Sequence, residues 1–209
     1  KIFGQHRNND YVTNVLNPTL LSLGGSEIKL GDIVGLSNPA HITRDKDFQL
    51  LLIELMSLGL SQSAPMVRPV ADKKNNEGAV IIRKTVTKKL DRRFQFITDQ
   101  AAKFSDLRDE EIHLLRKKMK FIRYSVEFFK DFCIKKVYPN FYKTITTTLD
   151  SFGLFNDICV TINRIEGYAQ NDPNLLFALS WLKFKRKLVR ILCEKNLKKL
   201  VHTPIPWEC

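Results

Sequence analysis

The sequence predicts an all-α protein. Three long segments repeat apolar residues at helical spacing, each with lysine and arginine on the opposite side. Val86, Leu90, Phe94, Ile97 and Ala101 oppose Lys84, Lys88 and Arg92. Ile112, Leu115, Met119, Ile122 and Val126 oppose His113, Arg116, Lys117, Lys120 and Arg123. Phe177, Trp181, Phe184, Leu188 and Ile191 oppose Lys183, Arg186, Lys187 and Arg190. At 209 residues and 44% hydrophobic content the chain can bury a proper core, as one domain or as two similar halves.

In chain order, Lys1 to Leu23 reads as a short loop running into a helix that Pro18 interrupts or ends. Gly24 to Ala40 holds four Gly and one Pro and reads as loop. Phe48 to Leu58 is a compact apolar run, too short to span a membrane, and is expected to form a buried helix. Gly59 to Gly78 is polar, contains Pro65, Pro69 and the run KKNNEG, and reads as a mobile connection. Ala79 to Phe104 is a long helix, which FSDLRDEE breaks while supplying carboxylates to the first turn of the next, where the helix dipole favours them.

Glu110 to Phe129, EEIHLLRKKMKFIRYSVEFF, is the segment around which the rest is organised. His113, Arg116, Lys117, Lys120, Arg123, Tyr124 and Glu127 share one face of its helix. Solvated faces usually alternate charge to gain i,i+4 pairs, but this one runs through four positive residues before Glu127, its first carboxylate. Tyr138-Pro139 marks a turn, and Phe141 to Leu149 reads as helical despite three consecutive threonines of low propensity. In SFGLFNDICVTINRI, Asn156-Asp157 is expected to cap the helix that follows. A basic and apolar closing helix then leads to TPIPW.

Thirty-four Lys and Arg against 22 Asp and Glu leave a net charge of +12, which implies an anionic partner. No apolar run approaches the ~18 residues of a spanning helix, and there is no signal-peptide pattern, although the chain begins without Met as a fragment would. Cys133, Cys159, Cys193 and Cys209 are scattered without a C-x-x-C pair, so free thiols in a reducing cytosol are expected, with no zinc site and no disulfide framework. There is no Ser/His/Asp set, phosphate-binding loop of P-loop type or H-E-x-x-H, and the carboxylates are dispersed. The chain is therefore not expected to be an enzyme or to carry a metal or other cofactor. No second His or Cys is spaced to make His113 a metal ligand, so a phosphate donor is its expected role.

The residues also resemble a family. His113, Leu115, Arg116, Lys117, Lys120, Arg123, Tyr124, Glu127 and Phe128 spell H-x-L-R-K-x-x-K-x-x-R-Y-x-x-E-F, the signature of the CHAD domain, the conserved histidine α-helical domain. Gly153, Asn156, Asp157 and Val160 hold the fixed positions of the L-G-x-x-N-D-x-x-V element that follows it. The opening FGQHRNND is similar to a diverged copy of that element, with Phe3-Gly4 matching Phe152-Gly153, Arg7 matching Asn156 and Asn8 matching Asp157. The tail TPIPW resembles the family's usual ending. Leu149 stands where the family usually has Gln, and Asn8 where the first half usually has Asp.

The resemblance implies a bundle of two similar four-helix halves, here residues 1–103 (partial, with the loop 59–78) and 104–209, the first half lacking its own basic signature helix. It also implies non-catalytic binding of inorganic polyphosphate in a basic groove. The three cationic rows suggest the same ligand independently, since a flexible polyanion needs no base readout. The expected binding set is Lys84, Lys88, Arg92, His113, Arg116, Lys117, Lys120, Arg123, Lys183, Arg186, Lys187 and Arg190, joined by Arg7. A nucleic-acid-binding helical protein is the alternative, disfavoured by the absence of a recognition-helix or RNA-stacking motif, and a helical scaffold kept soluble by its basic faces is a third reading. The expected location is the cytoplasm, on polyphosphate granules if the polymer gathers there, and no membrane partner is expected.

Overall fold

The computed structural model describes residues 8–29, 39–60 and 76–207, and every described element is helix, turn or irregular backbone. Phe3, Gly4, Arg7 and most of the expected mobile connection lie outside these residues. Packing divides the chain into two compact units, Lys1–Glu77 and Gly78–Cys209.

In the first unit the chain is helical from residue 8, passes through one π turn at Val12–Leu16 and continues as α1, Asn17–Ser22. Pro18 thus begins a new helical segment instead of ending the old one. It has no N–H to give, and its ring crowds the carbonyl four residues back. The wide π turn before it, closed by Asn17 N–H donating to Val12 O, relieves that crowding. Gly24, at φ 81°, terminates α1 in the left-handed conformation, with Gly25 N–H donating to Leu20 O at 2.8 Å. The Asn17 amide then pairs with both backbone groups of Ile28, at 2.9 and 3.0 Å, and holds the following loop against the helix.

Two further helices follow, α2 at Pro39–Thr43 and α3 at Lys46–Leu60, with Asp45 Oδ1 accepting from Phe48 N–H at 3.0 Å. The helix expected over Phe48–Leu58 is present, but its expected burial is not: Phe48, Leu50, Leu51, Leu52, Ile53 and Met56 are all exposed. A helix apolar on every side needs neighbours on every side, and the described residues leave this one uncovered.

The second unit is an antiparallel bundle of α4 (Asn76–Ala102), α5 (Asp109–Phe128), α6 (Tyr138–Ile165) and α7 (Pro173–Val201). The direction of each neighbour is fixed by paired contacts. Phe96 meets Lys118 where Arg93 meets Phe121, Asp109 meets Cys159 where His113 meets Asn156, and Thr148 meets Asn196 where Glu166, just past α6, meets Lys183. Short connections between consecutive helices make this up-down arrangement the natural one. The core is Leu90 and Ile97 of α4, the five-residue stripe expected of α5, Phe141, Ile145, Phe152, Phe155 and Ile158 of α6, and Leu182, Val189, Cys193 and Leu197 of α7. The boundary expected between sequence halves, 103/104, lies inside this unit, because α4 buries its apolar stripe here.

Two expectations for α6 are corrected. Tyr138-Pro139 is its first turn, not a turn before it, since a proline fits where the backbone N–H has no intrahelical partner. The helix then runs unbroken for 28 residues, so Asn156-Asp157 is mid-helix and caps nothing. Packing overrides the low propensity of the threonines and of Gly153. Thr144 and Thr148 are buried, each hydroxyl donating to the carbonyl four residues earlier at 2.8 Å.

The facing of α7 is also corrected. Its buried stripe is Leu175, Ala178, Leu179, Leu182, Val189, Cys193, Leu197 and Leu200, while the predicted stripe points outward, with Phe184 60% and Ile191 63% exposed. The sequence offers two apolar stripes at helical spacing. Arg186 and Arg190 choose between them, because only this facing lets them reach Asp109 and the carbonyls of residues 104–107. Asp172 caps the start of α7, accepting from Asn174 N–H at 2.8 Å. Beyond its end Trp207 closes the bundle, its ring against Phe94 and Phe141 and its Nε1–H donating to Asp91 Oδ1 at 2.8 Å.

Candidate polyanion-binding face

The first turn of α5 holds Asp109, Glu110 and Glu111, as the dipole argument requires. Glu111 Oε2 accepts from Arg108 backbone N–H at 2.8 Å and from its Nε at 3.3 Å, and the backbone bond, then the side-chain bond, lowers the carboxyl's pKa. This capping box sets the register that carries His113, Arg116, Lys120 and Arg123 onto the side of α5 facing α6.

These four side chains are half-buried, unlike the exposed Lys117. His113 Nδ1 and Asn156 Oδ1 lie 2.8 Å apart; with that carbonyl accepting, Nδ1 carries the proton and Nε2 of the neutral ring is an acceptor. One turn on, the Arg116 guanidinium lies along α6 at Gly153, where a Cβ would stand 3.5 Å from Nη2. The spacings match: His113 and Arg116 are three apart on one helix, Asn156 and Gly153 three apart on its antiparallel neighbour. The Arg123 guanidinium stacks over the ring of exposed Tyr124 at 4.4 Å. On the facing helix the Thr146 hydroxyl is buried without a hydrogen-bond partner.

The other two expected rows are placed differently. Arg93 lies over Phe121 at 3.7 Å and Lys118 over Phe96 at 5.9 Å, so α4 packs on the side of α5 away from His113 and Arg116. Lys84, Lys88 and Arg92 are exposed on the outer face of α4, and the structure does not bring them alongside the α5 row. On α7, Lys183 pairs with Glu166 at 2.7 Å and Lys187 is exposed. Arg186 pairs with Asp109 at 3.1 Å. Arg190 Nη2 reaches the carbonyls of Phe104, Ser105 and Leu107 at 3.3, 3.0 and 2.5 Å, and its Nη1 lies 3.8 Å from Asp109. In the free protein these two arginines hold the turn between α4 and α5.

Sequence reasoning missed three residues. Asn156 orients the histidine, Gly153 makes room for the arginine, and Asp109 is the anion that α7 gathers around. The signal for the first two was their three-residue spacing, hidden because Asn-Asp reads as a cap. Asp109 also accepts from Cys159 Sγ at 3.6 Å, and burial, followed by that negative charge, pushes the thiol up to about 12. Among the described residues no group of three His, Cys, Asp or Glu could hold a metal ion, and no helix is long and apolar enough to cross a membrane.

A half-buried row of one charge sign suits phosphate oxygens, and His113, whose Nδ1 proton is directed to Asn156, can donate to one only when Nε2 is protonated as well. Arg116 can give two parallel N–H bonds to one phosphate, and Lys120 adds a point charge. The sequence model of the CHAD domain matches residues 41–166, a stretch that contains this face and stops short of α7. No curated protein and no solved structure matches the chain. The match spans more than half of the 209 residues and the described fold is wholly helical, and the chain belongs to the CHAD domain family.

Proposed function

We propose that this chain binds inorganic polyphosphate, without catalysing its turnover, along the face of α5 that carries His113, Arg116, Lys120 and Arg123. The observation that carries the reading is the half-buried, same-sign row backed by Asn156 and Gly153. A merely solubilising face leaves its long side chains free in water, whereas these are partly buried on their helix, which lowers the ordering cost of binding an anion. The row from His113 to Arg123 is about 15 Å long at 1.5 Å per residue, enough for several successive phosphates of an extended chain. Lys117 and Tyr124 stand at its rim, and the exposed Lys84, Lys88, Arg92, Lys183 and Lys187 add long-range attraction. Membership of the CHAD family is consistent with this ligand.

The test is competition against a fluorescent long-chain polyphosphate probe. Unlabelled polyphosphate displaces it at lower charge concentration than duplex DNA does, and the Arg116→Gln, Arg123→Gln variant weakens binding by roughly a hundredfold, at about 1.4 kcal/mol per tenfold and one to two such steps per lost charged hydrogen bond. Equal displacement by DNA at the same salt would refute the reading.

A further inference from the structure

The outward stripe of α7 is left largely uncovered by the described residues. Phe177, Trp181, Phe184, Leu188 and Ile191 recur at alternating intervals of four and three residues, the a/d seam of a coiled coil. All but the half-buried Trp181 are exposed, Phe184 at 60% and Ile191 at 63%, on a helix whose other side is already buried. The stripe is about 21 Å long at 1.5 Å per residue. Contiguous apolar surface of that extent on a charged protein marks an interaction site, and the seam spacing specifies a helix as the partner.

The flanks specify its charge. Lys185 and Lys187 border the seam on its two sides, and Lys195 and Lys199 continue it beyond Ile191. The one acid between residues 177 and 199 is Glu194, which accepts from Lys198 Nζ at 2.6 Å. A second copy of this helix would set lysine against lysine across the seam, which disfavours self-pairing. At its C-terminal end the same face of α7 meets a cleft of about 140 Å³ between α6 and α7, lined by Lys143, Thr147, Asn196 and Lys199 among others. The Thr147 and Thr148 hydroxyl protons are directed to backbone carbonyls at 3.0 and 2.8 Å, so Lys143 and Lys199 are the strong donors there. Such a cleft suits a carboxylate.

We infer that the outer face of α7 is a docking surface for an acidic amphipathic helix of a partner protein, whose apolar a/d residues cover Phe177 to Ile191 and whose carboxylates meet Lys185, Lys187, Lys195 and, in the cleft, Lys143 and Lys199. This surface lies on a helix outside the family match and is separate from the row on α5.

The probe is a labelled synthetic helix of about 21 residues, three heptads with Leu at a and d and Glu at e and g. The control is the same peptide with Lys at e and g. The acidic peptide binds the whole chain saturably at one site, and its affinity falls as salt rises from about 50 to about 300 mM. Phe184→Ser with Ile191→Ser weakens it by at least roughly tenfold, and Lys187→Gln with Lys195→Gln by roughly threefold to tenfold. Circular dichroism of each variant matches the parent, because all four side chains face outward. Equal binding of the Lys-flanked control overturns the charge argument. Binding to vesicles containing about 30% anionic lipid, with none to the acidic peptide, replaces the helix by a membrane surface. Dimerisation that Phe184→Ser abolishes replaces it by a second copy, and an unfolded serine variant shows that the stripe is core.

Discussion

Gly153 offers two substitutions with opposite expected effects. It sits in the middle of α6, where a glycine costs about 1 kcal/mol of helix stability relative to alanine. An alanine Cβ would stand 3.5 Å from Arg116 Nη2 and 4.0 Å from its Nε, ordinary van der Waals distances to the end of a flexible side chain. Gly153→Ala therefore stabilises the second unit by about 0.5–1 kcal/mol and raises its melting temperature by a few degrees, leaving polyphosphate affinity within about twofold of wild type. Gly153→Leu gains the same helix propensity but puts three further carbons where the guanidinium lies. Arg116 must swing out, and affinity falls by roughly tenfold or more, the loss of one charge-assisted hydrogen bond of about 1.5–3 kcal/mol. Thermal melts by circular dichroism and titration of the labelled polymer read both effects on the same samples. If Gly153→Ala destabilises the protein, or if Gly153→Leu binds as wild type does, then Arg116 is not cradled by α6 and the site as drawn is wrong.

Other perturbations test different links. Arg190→Met removes the donor shared by three carbonyls and should cost about 2–4 kcal/mol in urea unfolding, although it leaves the α5 row intact. The triple change Lys84→Gln, Lys88→Gln, Arg92→Gln should lower polyphosphate affinity less than Arg116→Gln alone, and mainly by reducing its salt dependence, because that row lies on another face. Burial pushes the Cys159 and Cys193 thiols up to about 12, so iodoacetamide at pH 8 should leave both unmodified in the folded protein and alkylate both in urea. The folded state keeps those protons while unfolded thiols near 9 release theirs, so stability should fall as pH rises from about 9 towards 12. Serine at both positions should flatten that decline.

Much of the second unit was legible because α5 has one apolar stripe and one polar one, and only one way to bury them. On α7 the sequence carries apolar residues around most of the helix, so periodicity alone could not choose a face; the choice rests on a carboxylate, Asp109, brought from 77 residues away. The Pro139 and Asn156-Asp157 readings failed for a shared reason. Turn and cap chemistry are local signals, and α6 is buried against neighbours on two sides, where packing outweighs them. At the candidate site the cations were readable from spacing, while the partners that orient them were not, because Asn156 and Gly153 act across a helix pair and not along one. The exposed α3 shows the limit of hydrophobicity as a predictor of burial: it says what a segment needs, not whether the neighbours exist.

The Trp207 lock also bears on how the protein is made. Its indole reaches Asp91 across 116 residues, and the chain between them contains α5, α6 and α7. At a translation rate of about 5–20 residues per second, on the order of ten seconds separate the synthesis of the two partners. Once Phe141 is made, for the last part of that interval, Phe94 and Phe141 are both on a nascent chain that still lacks the ring covering them. A ribosome-bound chain stopped short of Pro206 would display that aromatic pair to chaperones and would lack the Ile134 N–H bond to Pro206 O at 2.7 Å. The Trp207 lock thus closes late, and a truncation before Trp207 would do more damage than its distance from the binding face suggests.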